Sequence, residues 1–142
     1  MKHRPSLPVL VRAVALALVL ASGRGVADET GLAPADAWPM SRGSRAGTGR
    51  SAASLAFPLA EAWHRGFEKT AFGATPVVAG GTIFVGDLDG TFHALSLDDG
   101  HTLWTYKAEA AGFPSSAAAS LDPAAPLVVV GDDAGVVRAL ES

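Results

Sequence analysis

From position 75 to the end of the chain, apolar residues come in short runs punctuated by glycine and aspartate. The runs "TPVVA" (75–79), "TIFVGD" (82–87), "TFHALSL" (91–97) and "HTLWTYKA" (101–108) are rich in β-branched and aromatic side chains, the composition of half-buried or buried strands. Their separators, "GG", "LDG" and "DDG", are turn chemistry, with glycine supplying the positive φ that tight hairpins require. The pattern predicts four short strands joined into one antiparallel up-and-down sheet. No stretch after residue 57 carries the 3.6-residue period of a helix.

The pattern then repeats. "VGDLDGTFHAL" (85–95) returns 45 residues later as "VGDDAGVVRAL" (130–140), with six of eleven positions identical. Trp63 and Trp104 lie 41 apart, as do Phe72 and Phe113, and "ATPVVA" falls in phase with "SSAAAS" at the same spacing. The offset grows to 45 where the Gly80-Gly81 turn is replaced by the six residues 121–126, a four-residue insertion in one hairpin loop. A period near 40 with four strands per unit is that of a propeller blade. The fold expected is all-β: a full blade over 74–108, a partial blade over 115–142, and an orphan outer strand over 59–67 in the phase of the strand bearing Trp104.

Each repeated residue has a structural role in such a wedge. Gly86 and Gly131 leave room for close backbone approach. Asp87 and Asp132 end strands, where a carboxylate accepts hydrogen bonds from turn amides. Gly90, Gly135 and Gly100 sit in the turns. Trp104 is expected to lay its ring against the next blade, burying about 150–250 Å², and Trp63 is its counterpart one repeat earlier.

Before residue 57 the chain changes character. Basic residues Lys2, Arg4 and Arg12 lead into "AVALALVLA" (13–21), an apolar run suited to an export signal and too short to span a bilayer, which takes about 20 residues. Small residues Gly25 and Ala27 place cleavage after Ala27, giving a signal peptide over 1–27; a membrane-anchoring N-terminus is the alternative. "LASG" (20–23) begins like a lipoprotein signal, but Arg24 stands where cysteine would be needed, and the chain has no cysteine. Stability must therefore come from packing without disulfides. Residues 28–56 are rich in Gly, Ala, Ser and Pro and read as an extended arm, with Trp38-Pro39 as its anchor. Loss of the leader's four Lys and Arg leaves seven basic residues against 14 acidic ones, which argues against nucleic acid as a partner.

The same residues admit three sharper chemical readings. Asp87 and Asp89 have the i, i+2 spacing of hard-cation ligands, but no later acid follows and the second copy loses the spacing, so the turn reading is preferred. His64, His93 and His101 show no i, i+4 arrangement for a transition metal. Ser115 and Ser116 lie in an Ala-rich strand without a nucleophile elbow. No catalytic, metal or cofactor residue is expected.

"ALSLDDGHTLWTYKA" (94–108) resembles the tryptophan-docking segment of the pyrroloquinoline-quinone-like (PQQ-like) β-propeller repeat, approximately A-x-D-x-x-T-G-K-x-x-W. Ala94, Gly100 and Trp104 match it, while Ser96, Asp99 and His101 replace the usual Asp, Thr and Lys. "WPMSRG" (38–43) is similar to the element that precedes the propeller in exported bacterial members. The resemblance covers about residues 38–142 and implies a non-catalytic exported binding or scaffold module, periplasmic or secreted, similar to the propeller subunit that supports β-barrel assembly in outer membranes. Its partners would be proteins or further copies, met through open blade edges. The alternative it carries is a fragment of a PQQ-dependent oxidoreductase, in which several blades enclose quinone and calcium on the propeller axis. Fewer than two complete blades cannot build that enclosure, and closed propellers need about four to eight. The chain thus reads as part of a longer propeller, or as a unit that closes a ring with other copies.

Overall fold

In the computed structural model, residues 33–142 are described; the expected signal peptide and the first residues of the arm lie outside them. Seven strands form two antiparallel sheets. The first holds β1 (Val77–Ala79), β2 (Thr82–Gly86), β3 (Thr91–Ser96) and β4 (Thr102–Lys107) in sequence order, and the second holds β5 (Ala118–Ala119), β6 (Leu127–Gly131) and β7 (Val137–Glu141), also in order. They are blade 1 and blade 2. The chain folds as stacked antiparallel blades of the kind its repeats predict.

Turn residues set the connections. Gly80 and Gly81 have φ of 57° and 74°, the pair of positive values that a two-residue hairpin matching strand twist demands. In blade 2 the longer loop closes differently: the Asp122 carboxylate accepts the N–H of Ala124, and the Ala125 N–H donates to the Asp122 carbonyl.

Register divides blade 1 into two faces. Val77 pairs with Phe84, Phe84 with Ala94 and Ala94 with Trp104, while Gly86 pairs with Phe92 and Phe92 with Tyr106. This rear face packs on Ala117, Ala119, Val128, Val130 and Leu140 of blade 2, and Phe113 from the connection fills the seam. The hydrophobic core is therefore the inter-blade seam, with Phe84, Phe92, Phe113, Val77, Val128 and Val130 fully buried. Trp104 is partly buried against it, its ring 5.9 Å from Phe84 and 6.2 Å from Phe92 of its own blade.

The orphan strand expected over 59–67 is not a strand. A strand needs a ladder, and no described residue offers one to this segment, whose backbone makes no hydrogen bond to another segment. The segment is instead extended chain held by side chains. Its Trp63 indole Nε1 donates to the Leu97 carbonyl at 2.9 Å, and Arg65 donates to the Gly100 carbonyl at 2.8 Å.

The arm is more ordered than its composition suggests. Trp38 and Val78 exchange both backbone hydrogen bonds at 2.8 Å, and the Ala119 N–H donates to the Pro39 carbonyl at 2.7 Å. Two consecutive arm residues thus reach the inner strands of both blades and clip them together. The Trp38 ring lies so close to Gly43 that a Cβ there would sit 2.7 Å from it, which explains why glycine follows the anchor at that spacing.

Candidate functional site

The β2–β3 and β6–β7 turns carry the repeat's most concentrated polar chemistry. In blade 1, the Asp87 carboxylate accepts the Thr91 N–H at 2.7 Å with one oxygen and His93 Nε2–H at 3.0 Å with the other. In blade 2, Asp132 accepts the Val136 N–H at 2.8 Å and pairs with the Arg138 guanidinium. The same clasp is built twice, with an acid at the strand end, its turn amide four residues on and a cationic or imidazole group six residues on. Sequence reasoning found the acids and missed His93 and Arg138; the shared i, i+6 spacing in both copies was the available signal.

Both carboxylates are buried, with side chains 4% and 0% exposed, and aromatic rings cover the first clasp. Asp87 and His93 are almost completely buried, 3% and 7% exposed, under the edges of Phe67 and Phe72, whose ring centroids lie 4.9 and 6.0 Å from the imidazole. Burial opposes the charged form of Asp87, yet the Thr91 N–H, the His93 hydrogen bond and His93 charge together hold its carboxyl below the usual 3.8. In blade 2 the Val136 N–H leads and Arg138 adds to it, outweighing burial, so Asp132 is also held low. Arg138 in turn donates to the Tyr106 hydroxyl at 3.0 Å and lies over its ring, tying β7 to β4 across the seam.

A carboxyl with a depressed folded pKa stabilises the fold above its unfolded value, and that contribution fades as pH falls through the folded one. Stability of the chain should therefore drop as pH is lowered from about 5 to about 2, and Asp87→Asn should flatten the drop. Because Asp87 is buried, the substitution should also cost about 1–3 kcal/mol at neutral pH, with its partners left poorly matched. Urea unfolding midpoints across that pH range check both results; an unchanged pH slope in Asp87→Asn would remove Asp87 from the account.

The repeat glycines differ in how closely their surroundings approach. A Cβ on Gly86 would sit 2.3 Å from Phe113 Cβ, and one on Gly100 would sit 2.6 Å from the Trp63 ring. Gly90 has φ of 87°, and a Cβ there would meet the Ala111 carbonyl at 2.3 Å. The blade 2 counterparts are open: Gly131 has only Ser115 Oγ nearby, at 3.8 Å, and Gly135 has nothing within 4 Å. Trp63 is docked by its indole N–H, whereas among the described residues no acceptor meets that of Trp104.

Ser115, Ser116, His64 and His101 each make a hydrogen bond within the chain. The Ser116 hydroxyl accepts the Thr75 N–H at 3.0 Å, and the Ser115 hydroxyl donates to the Gly131 carbonyl at 2.9 Å. His64 pairs with Glu61 at 3.0 Å and His101 with Asp99 at 2.6 Å. The His101 side chain, then Ser96 and the His101 N–H, bring the exposed Asp99 carboxyl down to about 2. Among the described residues no cluster of three His, Cys, Asp or Glu side chains converges as a metal site, and no helix is long and apolar enough to cross a membrane. A shallow cleft between the β1–β2 turn and the 121–126 loop is lined by Ala79, Phe84, Leu121, Pro123 and Pro126, with Asp122 its one charged side chain.

What remains unoccupied is the rear face of blade 2. Leu127, Val129 and Val137 are exposed there, Val137 at 73%, and Ala118 and Ala139 lie beside them on the same face by register. Among the described residues no strand pairs with the outer edge of β7. Apolar sheet faces and unpaired edges are sticky surfaces.

Two stacked antiparallel wedges, the three strands of the second matching the first three of the first and each built around the same turn clasp, define a propeller-repeat protein. Residues 17–142 match the PQQ-like family described as outer membrane protein assembly factor BamB, and the chain belongs to that family. No curated protein matches the chain.

Proposed function

We propose that this chain is a non-catalytic scaffold of the periplasm or cell exterior that works by binding protein. The observation that carries the reading is the contrast between its polar and apolar groups. Asp87, Asp132, His93, Ser115 and Ser116 spend their hydrogen bonds on holding the blades, while Val129, Val137 and Leu127 face outward on a sheet with an open edge. Apolar surface beside an unpaired strand suits protein recognition by strand addition. The family's description, assembly of outer membrane proteins, and the leader expected over 1–27 agree with an envelope role.

Quinone binding is the discriminating test. Titration with pyrroloquinoline quinone and calcium, followed by quenching of tryptophan fluorescence, should show no saturable binding, and a quinone-dependent dye should not be reduced. A photo-crosslinking residue at Val137 in the exported chain should instead give discrete protein adducts. Saturable quinone binding with dye turnover would overturn the proposal and place the chain with the quinoprotein oxidoreductases.

A further inference from the structure

Charge along this chain is segregated. Between Asp36 and Glu61 lie Arg42, Arg45 and Arg50 and no acid, whereas from Glu61 onward four Lys and Arg stand against 11 Asp and Glu. All three arginines are exposed, and among the described residues none of them joins an ion pair. They ride on a loop with a shape of its own. The Gly43 N–H donates to the Met40 carbonyl at 2.9 Å, the Gly47 N–H to the Ser44 carbonyl at 2.9 Å and the Gly49 N–H to the Arg42 carbonyl at 3.0 Å. Arg42 Nε donates to the Gly47 carbonyl and braces the same loop. The clip at Trp38 and Pro39 fixes its start to the inner strands of both blades.

Apolar side chains follow the arginines directly. Leu55, Phe57 and Leu59 are 66%, 79% and 63% exposed, and every residue from Thr48 to Ala62 is exposed. Three large apolar side chains this bare on one short stretch form a patch rather than scattered exposure. The backbone of 51–60 makes no hydrogen bond to another segment, so between the clip and the docked Trp63 the stretch stands clear of the sheets.

We propose that residues 42–59 form a peripheral membrane-binding element, the arginines pairing with the phosphate groups of an anionic bilayer while Leu55, Phe57 and Leu59 enter its headgroup region. A guanidinium pairs with phosphate through two parallel hydrogen bonds, and cationic groups beside apolar side chains are the combination that holds a protein at an interface. The acidic remainder of the chain is repelled by the same surface, which confines the contact to the arm. A protein groove fits these observations less well, because it would have to match side chains on a segment with no ladder to fix its shape, whereas a bilayer surface asks for none. The amides of 51–60 stay with water and headgroups, so entry is by side chains alone. This inference goes beyond the protein-binding proposal and does not rest on it, since that proposal concerns the face of blade 2.

Flotation of the purified exported chain with lipid vesicles tests it. Mixed phosphatidylethanolamine and phosphatidylglycerol vesicles should carry the chain, and phosphatidylcholine vesicles should not. Each arginine near an anionic surface is worth about fivefold in affinity, so Arg45→Gln combined with Arg50→Gln should weaken binding about 25-fold with an unchanged circular dichroism spectrum. Added salt should weaken it as well. The absence of cysteine allows a single label: an environment-sensitive dye on Phe57→Cys should shift its emission to the blue on anionic vesicles, and the same dye on Glu109→Cys, exposed beyond β4, should not. Equal flotation with both lipids, binding undiminished in the arginine variant, or an unshifted dye at position 57 would overturn the proposal. A chain that ignores vesicles and instead cross-links from position 57 to an envelope protein would overturn it too, and would make the segment a protein-docking site.

Discussion

Phe113→Ala is expected to destabilise the chain by about 3–5 kcal/mol, the cost of emptying a large aromatic site in a packed core. Phe113 is fully buried in the seam, its ring 5.5 Å from Phe92 in an edge-to-face arrangement. Its neighbours cannot collapse into the gap easily, because the Phe113 N–H is fixed to the Asp87 carbonyl at 2.8 Å and the Asp133 N–H to the Gly112 carbonyl at 3.0 Å. Domains of this kind have only about 5–15 kcal/mol of stability in total, so a loss of that size should shift the urea midpoint far toward zero denaturant. The counterpart Phe72→Ala should cost much less, because Phe72 is 41% exposed. Equal losses at the two positions would mean that the seam is not the core.

The second large effect belongs to Gly90→Ala, and Gly135 supplies its control. Both residues have strongly positive φ, 87° and 82°, so alanine at either carries the left-handed backbone cost of about 1–2 kcal/mol. At Gly90 the new methyl would also stand 2.3 Å from the Ala111 carbonyl oxygen, whereas at Gly135 it meets nothing within 4 Å. Backbone at that distance cannot rotate away as a side chain would. Overpacking of this kind adds about 1–3 kcal/mol, so Gly90→Ala should be clearly the worse of the two by urea unfolding. Matching losses would leave only the turn conformation and dismiss the close approach of the connection to the β2–β3 turn.

Strand positions and blade phase were legible because their causes are local. Short β-branched runs between glycine turns leave little choice of element, and two tryptophans and two phenylalanines at one spacing fix the repeat. Segment 59–67 was misread because a strand is a property of a pair: its sequence is in phase with β4, but its backbone has no ladder to join. The arm's clip was hidden for a related reason, since Trp38 bonds to Val78 and Pro39 to Ala119 through main-chain atoms that carry no sequence signature. In the turn clasps, the two acids accept turn amides four residues on, a local pattern visible in the glycine-aspartate repeat. Their partners were not visible there, because His93 and Arg138 differ in chemistry and share only their distance from the acid. The docking of Trp63 lies between these cases: Trp63 and Gly100 were singled out, while the Leu97 carbonyl that accepts the Trp63 indole N–H, 34 positions on, was not.

The central claim is that residues 75–142 form two successive copies of one antiparallel wedge, stacked rear face to front face. An NMR map of contacts between protons of the chain tests it most directly. The account predicts ladder contacts joining Phe84 to Ala94 and Val130 to Arg138, with further contacts across the seam from Phe113 to Phe92 and from Tyr106 to Arg138. Two intact ladders with no contact between them, or helical contacts anywhere in 75–142, would contradict it.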